Sequence, residues 1–87
     1  MDTQQTVTAA RGLLTAETPM LWIRLDDRRT VAAVKALPAG VDPNPAGGAV
    51  KAWILVGDGF AAGDAELERA ILVKRSGQPR PRVDEAD

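Results

Sequence analysis

The architecture follows from residues 20–37, which read MLWIRLDDRRTVAAVKAL. The first part, Met20–Asp26, is rich in the large and β-branched residues that favour strands. Because side chains alternate along a strand, Leu21 and Ile23 share one face and Trp22 points to the other. We therefore predict a strand here, with Trp22 turned away from the main apolar face.

The second part of this segment, Thr30–Leu37, follows a short polar turn and fits two structures. As a strand, it would carry Lys35 on an otherwise apolar face. As a helix, it would align Val31, Val34 and Leu37 on one side. A short polar turn directly after a strand favours a hairpin, so we predict a second strand and keep the helix as the alternative.

A further strand is predicted at Ala49–Val56, after a loop at 38–48 that is rich in proline and glycine. The run Trp53–Val56 is apolar without interruption, which is typical of a central strand covered on both faces. Gly57-Asp58-Gly59 is expected to end this strand.

Segment 64–75 also fits two structures. A helix would place Leu67 and Ile71 on one face, with Asp64 as a candidate cap. Alternatively, the short apolar run at 70–73 forms a buried strand that pairs with 52–56. The charged residues on both sides of that short run favour the strand.

The two ends of the chain differ from its middle. Residues 1–17 contain threonines and Gly12, which disfavour a helix, so an extended arm is expected, with one short helix as the alternative. Residues 77–87 are rich in proline and charge and are expected to be a flexible tail. The predicted fold is mainly β, with α+β possible. It is a small compact β-sheet or barrel-like domain at 18–76, with an extended N-terminal arm and a flexible C-terminal tail.

The composition argues against an enzyme. The chain of 87 residues has no His, Cys or Tyr, which removes imidazole and thiol chemistry and the usual zinc ligands. The adjacent acidic residues Asp26 and Asp27 have little chain around them from which to build a cleft. Gly57-Asp58-Gly59 lacks the spacing of a phosphate-binding loop. We predict no catalytic residue, no cofactor and no metal site.

The charges are separated along the chain and point to binding. Residues 36–68 are acidic and residues 69–82 are basic, a distribution that lets a protein pair with copies of itself or with another charged protein. Nucleic acid is not the predicted partner, because the basic stretch lacks aromatic residues to stack on bases and the isoelectric point is about 5.3. The apolar runs fall short of the roughly 20 residues of a membrane span, and the N-terminus shows no secretory signal. The expected location is the cytoplasm or a virion.

The candidate partner-binding residues come from three places. Those of the arm would add a strand to a partner's sheet, the tryptophan would be an exposed anchor, and those of the tail would supply positive charge. They are Thr6, Val7, Thr8, Trp22, Arg80 and Arg82.

Several short motifs occur in a characteristic order: Thr18-Pro19-Met20-Leu21, then GAVKAWILV at 48–56, DGFAAGD at 58–64, and AILV at 70–73. In this order the chain resembles the head decoration, or capsid cement, proteins of lambda-type phages over 18–77. The resemblance implies a non-enzymatic virion protein, a trimer, and attachment to the capsid by strand addition from the arm at 3–8. The chain departs from the family in being short and in the basic tail after Gly77.

Two other functions remain open. One is a small inhibitor or regulator of a host protein, of the anti-defence type, that acts through the acidic segment 57–68. The other is a small α/β accessory subunit of a complex, which requires helices at both 27–37 and 64–75.

Overall fold

The computed structural model describes residues 1–47 and 52–77. Its elements, in chain order, are helix α1 (Thr3–Arg11), strands β1 (Met20–Leu25), β2 (Val31–Leu37) and β3 (Trp53–Asp58), and helix α2 (Asp64–Ser76). The strands form one antiparallel sheet in the order β2-β1-β3. The fold is therefore mixed α+β. The small sheet domain and the α+β alternative are confirmed, whereas the favoured mainly β class is not, because two helices accompany the sheet.

Strands β1 and β2 form the predicted hairpin, with Ile23 opposite Val34. The turn is built on Asp26, whose carboxylate accepts the N–H groups of Arg28 at 2.9 Å and Thr30 at 2.8 Å. Arg29 takes the left-handed backbone conformation with φ of 63°. The hairpin interpretation of residues 20–37 is thus confirmed.

Strand β3 lies at an edge of the sheet, so the prediction of a central strand covered on both faces was wrong. Leu21 pairs with Gly57 while Trp22 pairs with Leu55, which leaves one extra residue in β3. Gly57 accommodates this bulge with a φ of 141°, a conformation that residues with a Cβ rarely adopt. The strand continues to Asp58, beyond its expected end. Residues 49–51 of the predicted strand lie outside the described residues.

Helix α1 replaces the expected extended arm over Thr3–Arg11. Asp2 caps it, because its carboxylate accepts the N–H of Gln5 at 2.7 Å while the Gln5 side chain accepts the N–H of Asp2 at 2.9 Å. Val7 and Ala10 are buried in the core. The cap and this burial outweigh the low helix propensity of the threonines.

Helix α2 covers the whole of segment 64–75, so the favoured buried strand at 70–73 was wrong and the helical alternative was right. Acidic residues occupy its first turn and basic residues its last, as the helix dipole favours. Gly77 ends it in the left-handed conformation, with φ of 69°. Ile71 points into the core, while Leu72 and Val73 are 49% and 52% exposed.

Both helices pack on the same side of the sheet. Helix α1 contacts α2 and β2, and α2 also contacts β3. The buried apolar cluster lies between the helices and the sheet, and it consists of Val7, Ala10, Leu14, Leu21, Ile23, Val31, Leu67 and Ile71. The described part of the molecule thus has two layers, with one face of the sheet in the core.

Candidate protein-binding face

The opposite face of the sheet carries the other set of alternating side chains. We call it the open face, and its members are Met20, Trp22, Arg24, Ala33, Lys35, Leu37, Trp53 and Leu55. Trp22 lies between Lys35 on β2 and Leu55 on β3, and Arg24 lies directly opposite Trp53. Within residues 1–47 and 52–77, the two helices contact only the other side of the sheet through the core cluster.

The Trp53 ring on the open face has two positively charged side chains beside it. The Lys35 ammonium lies 4.2 Å from the centroid of the Trp53 ring, and the Arg24 guanidinium carbon lies 5.8 Å from it. Such cation–π contacts contribute about 0.5–1 kcal/mol each at exposed sites. Lys35 belongs to β2, so its side chain extends over β1 to reach a ring on β3. The cations therefore help to hold the Trp53 ring in place.

The loop that follows β2 forms a rim on the open face. Gly40, Val41 and Asp42 line a shallow groove of about 230 Å³ together with Trp22 and two other open-face residues, Met20 and Leu55. Val41 is 43% exposed and Leu55 is 38% exposed. The indole Nε1 of Trp22 is buried and has no hydrogen-bond acceptor in the described part of the chain. The groove is thus mostly apolar.

Asn44, from the same loop, closes part of the outer edge of β3. The N–H of Trp53 donates to Asn44 Oδ1 at 2.9 Å, and Asn44 Nδ2 donates to the carbonyl of Trp53 at 3.1 Å. One carboxamide thus makes the two hydrogen bonds that a neighbouring strand would make. Asp42 Oδ1 holds Asn44 in place by accepting both its backbone N–H and its Nδ2 group. A partner strand is therefore blocked from pairing with β3 at Trp53.

The acidic segment 57–68 does not form one free acidic surface. The Asp64 carboxylate lies 2.8 Å from Nε of Arg11, and the Asp58 carboxylate accepts the N–H of Ala61 at 3.0 Å. Among the described residues, no group of three acidic side chains is placed to hold a metal ion. Two of the acidic side chains of this segment are thus engaged within the chain.

The sequence-predicted binding residues are placed very differently by the structure. Trp22 lies on the open face, as expected for a side chain turned away from Leu21. Thr6 is fully buried and Val7 is 8% exposed, while Thr8 is exposed on α1. Arg80 and Arg82 lie outside the described residues. Strand addition by residues 3–8 would first require α1 to unwind.

Sequence reasoning missed Trp53, Leu55 and the two cations that accompany them. Once the hairpin is accepted, alternation places Arg24 on the same face as Trp22, and this was a usable signal. The unbroken apolar run at 53–56 concealed the corresponding alternation in β3, because it is typical of a strand covered on both faces.

No family model matches the chain, and neither does any curated protein or solved structure. The resemblance to decoration proteins therefore remains a prediction from the sequence. None of the described helices is long and apolar enough to cross a membrane.

Proposed function

We propose that this protein is a non-enzymatic assembly module that binds another protein through its open face. The observation that carries the proposal is the asymmetry of the sheet. One face is covered by two helices, while the other presents Trp22, Trp53 and Leu55 with no described helix over them. A single sheet normally buries one face in its core and leaves the other polar. Here the second face is largely apolar as well.

The residue types on this face are those that dominate protein interfaces. Tryptophan and arginine are enriched among the residues that contribute most to binding energy. Leu55 and Val41 are more than a third exposed, so a partner would remove apolar surface from water at about 25 cal/mol per Å². Lys35 and Arg24 already lie near the Trp53 ring, so they lose little freedom when a partner docks.

A phage particle is one assembly in which such a module would serve, and decoration of a capsid remains part of this proposal. The open face then replaces residues 3–8 as the attachment surface, because those residues belong to α1. The inhibitor function has less support, because the acidic side chains of 57–68 are partly engaged within the chain. The accessory-subunit function required a helix at 27–37, where the structure has β2.

The experiment compares two substitutions of exposed leucines on opposite sides of the molecule. Leu55→Asp introduces a charge on the open face, and Leu72→Asp introduces the same charge on the exposed side of α2. Each purified variant is immobilised and exposed to an extract of the native source, and retained proteins are identified by mass spectrometry. Wild type and Leu72→Asp are expected to retain the same proteins, and Leu55→Asp is expected to lose them. Equal retention by Leu55→Asp would contradict the proposal.

A further inference from the structure

We propose that three arginines at one end of the molecule form a binding site for a phosphate group. The site is separate from the open face, so it goes beyond the proposed function. It is a shallow depression of about 310 Å³ where the turn between β1 and β2 meets the C-terminal end of α2. We call it the arginine site. Its lining residues are Arg28, Arg29, Leu72, Arg75 and Ser76, and none of them is acidic.

Two of the arginines hold each other in place. Arg29 donates from Nη2 to the carbonyl of Lys74 at 3.0 Å, and from Nε to the carbonyl of Arg75. In return, Nε of Arg75 donates to the carbonyl of Arg29 at 3.0 Å, and its Nη1 donates to Oγ1 of Thr3 at 2.6 Å. Both guanidinium groups are thus fixed before a ligand arrives, so they lose little freedom when it binds.

These internal bonds leave part of each guanidinium unused. A guanidinium has five N–H donors. Nη1 of Arg29 and Nη2 of Arg75 donate to no group among residues 1–47 and 52–77. The side chain of Arg28 is exposed and makes no hydrogen bond to that part of the chain, since only its backbone N–H is used in the turn. The lining of the depression thus offers unused donors from three arginines.

The positive charge of the site has no carboxylate paired with it in the described part of the chain. Within these residues, the single ion pair joins Arg11 to Asp64. Asp26 interacts with the charge of Arg28, but its carboxylate accepts hydrogen bonds from the backbone of the turn. The carbonyls at the end of α2 offer Arg29 only the partial charge of a helix C-terminus. An anionic ligand would therefore supply negative charge that the described residues do not provide.

A phosphate group matches these donors better than a carboxylate does. A phosphate monoester carries about 1.5 to 2 negative charges at neutral pH and has three acceptor oxygens, and arginine forks bind such oxygens in pairs. No aromatic residue lines the depression, so nucleic-acid bases could not stack there. We therefore assign the site to free phosphate or to a small phosphate ester. Leu72, which is 49% exposed, would contact the organic part of an ester.

The first experiment titrates the full chain with inorganic phosphate and, separately, with phenyl phosphate. Sodium chloride keeps the ionic strength constant at about 0.15 M. Nitrogen-15 NMR follows the Nε–H signals of Arg29 and Arg75, which are expected to shift until they saturate, with a dissociation constant in the millimolar range or below. Tighter binding of phenyl phosphate would identify an ester as the ligand, and equal binding would identify free phosphate.

The second experiment compares matched variants, with the backbone amide spectrum as the check that each is folded. Arg28→Gln removes a guanidinium that holds nothing within the described chain, and it is expected to weaken phosphate binding roughly three- to tenfold. Arg69→Gln removes the same charge from an exposed residue of α2 outside the lining, and should change binding less than about twofold. Leu72→Asp places a carboxylate in the site and should weaken binding, whereas Leu55→Asp places it on the open face and should not.

Three results would overturn the inference. One is a titration in which phosphate leaves the Arg29 and Arg75 signals unchanged. Another is an Arg69→Gln variant that weakens binding as much as Arg28→Gln does, since the attraction would then be diffuse. The third is an oligonucleotide that binds far more tightly than either small ligand, because the site would then belong to a nucleic-acid surface.

The acidic residues near the end of the chain provide a further test. If phosphate binds only when Asp84→Asn, Glu85→Gln and Asp87→Asn are combined, carboxylates of the chain itself fill the site and the inference fails. The proposed function is tested independently. Leu55→Asp is expected to lose the retained proteins and keep phosphate binding, and Leu72→Asp is expected to do the reverse.

Discussion

Trp22 combines a favourable ring position with an unfavourable polar atom. Its ring lies in the centre of the open face, between Lys35 and Leu55. Its Nε1–H is buried with no acceptor among the residues that the structure describes, and an unpaired buried donor costs about 1–3 kcal/mol. At the residue scale, the unpaired Nε1–H lowers the stability of the fold, and burial of the apolar part of the ring offsets this cost.

Replacing Trp22 by Phe is therefore expected to leave the free energy of unfolding unchanged or to raise it by up to about 1 kcal/mol. Phenylalanine keeps a ring on the sheet and removes the unpaired donor. Urea unfolding measures the change, with Trp53→Phe as the matched aromatic control. Trp53→Phe is expected to lower stability slightly, because its ring loses part of the attraction of Lys35 and Arg24. A large loss in Trp22→Phe would show that the indole N–H has an acceptor.

Asp26 makes the hairpin sensitive to acid. The N–H of Thr30 has the largest influence and lowers the pKa of Asp26 below its ordinary value of 3.8, and the N–H of Arg28 acts in the same direction. A carboxylate with a lowered pKa stabilises the fold above its unfolded-state pKa, and this contribution disappears as the pH falls through its folded-state pKa.

We therefore expect Asp26→Asn to be less stable than wild type at neutral pH. The difference should shrink as the pH is lowered through 3.8 and below. Urea unfolding across this range is the measurement. Asp27→Asn is the matched control, because Asp27 accepts none of the turn hydrogen bonds that Asp26 accepts. A difference that is constant with pH would mean that the charge of Asp26 does not contribute.

At the scale of elements, Arg11 joins the end of α1 to the start of α2. Its NH1 group donates to the Gly59 carbonyl at 2.7 Å, and its NH2 group donates to the Ala62 carbonyl at 2.5 Å. Nε donates to Asp64 at 2.8 Å, but the Asp64 side chain is 76% exposed, so this ion pair adds little. The two carbonyl bonds position the link between β3 and α2.

Arg11→Ala is expected to lower the free energy of unfolding by about 1–3 kcal/mol, the range for losing hydrogen bonds to a charged donor. Arg11→Lys should restore less than half of the loss, because an ammonium cannot reproduce the planar fork. Asp64→Ala removes the ion pair together with the favourable charge in the first turn of α2, and it should still cost less than about 1 kcal/mol. If Asp64→Ala cost as much as Arg11→Ala, the ion pair and not the carbonyl bonds would hold the link.

Local patterns were enough to predict the hairpin, and they were misleading for both helices. The alternation of Leu21, Trp22 and Ile23 is a short-range property, and the structure confirms it. Helix α1 depends on the burial of Val7 against strands that are distant in the sequence. Local helix propensity does not include this contribution. The apolar run at 70–73 indicated a strand only because all four residues were taken to be buried, whereas half of them are exposed on α2.

The open face, too, could be predicted only in part from local patterns. The outward position of Trp22 follows from alternation within β1. The inclusion of Trp53 and Leu55 depends on the strand order β2-β1-β3, which pairs residues about thirty positions apart. A long proline- and glycine-rich loop separates β2 from β3, and its sequence does not reveal which edge of the hairpin β3 will join.

Asn44 is the residue that closes the outer edge of β3 at Trp53. Asn44→Ala removes two hydrogen bonds to the backbone of Trp53. It is expected to lower the free energy of unfolding by roughly 1–3 kcal/mol, and to expose the edge of β3 to pairing with other chains. Urea unfolding measures the first effect and light scattering the second. Asn44→Asp keeps the acceptor, but it places a carboxylate beside Asp42 and against the Trp53 carbonyl, so it should be no more stable than Asn44→Ala. An Asn44→Ala protein as stable and as free of aggregation as wild type would contradict this role.

At the scale of the whole molecule, a three-stranded sheet with helices on one side has a small core. Eight apolar residues form its buried cluster. A partner protein on the open face would add a second apolar layer without lengthening the chain. Folding and association would then be coupled, since binding to the folded state alone raises apparent stability.

This coupling predicts that a bound partner stabilises the fold against urea. The partner to be used is the protein from the native source that wild type retains. At a partner concentration about 100 times the dissociation constant, the free energy of unfolding should rise by about 2.7 kcal/mol. With a urea dependence of about 1–2 kcal/mol per M for a chain of this size, the unfolding midpoint should rise by roughly 1.4–2.7 M. Leu55→Asp should show a midpoint that does not change when the partner is added, while Leu72→Asp should follow wild type, because Leu72 lies on the exposed side of α2. A wild-type midpoint that the partner leaves unchanged would mean that the retained protein does not bind the folded chain.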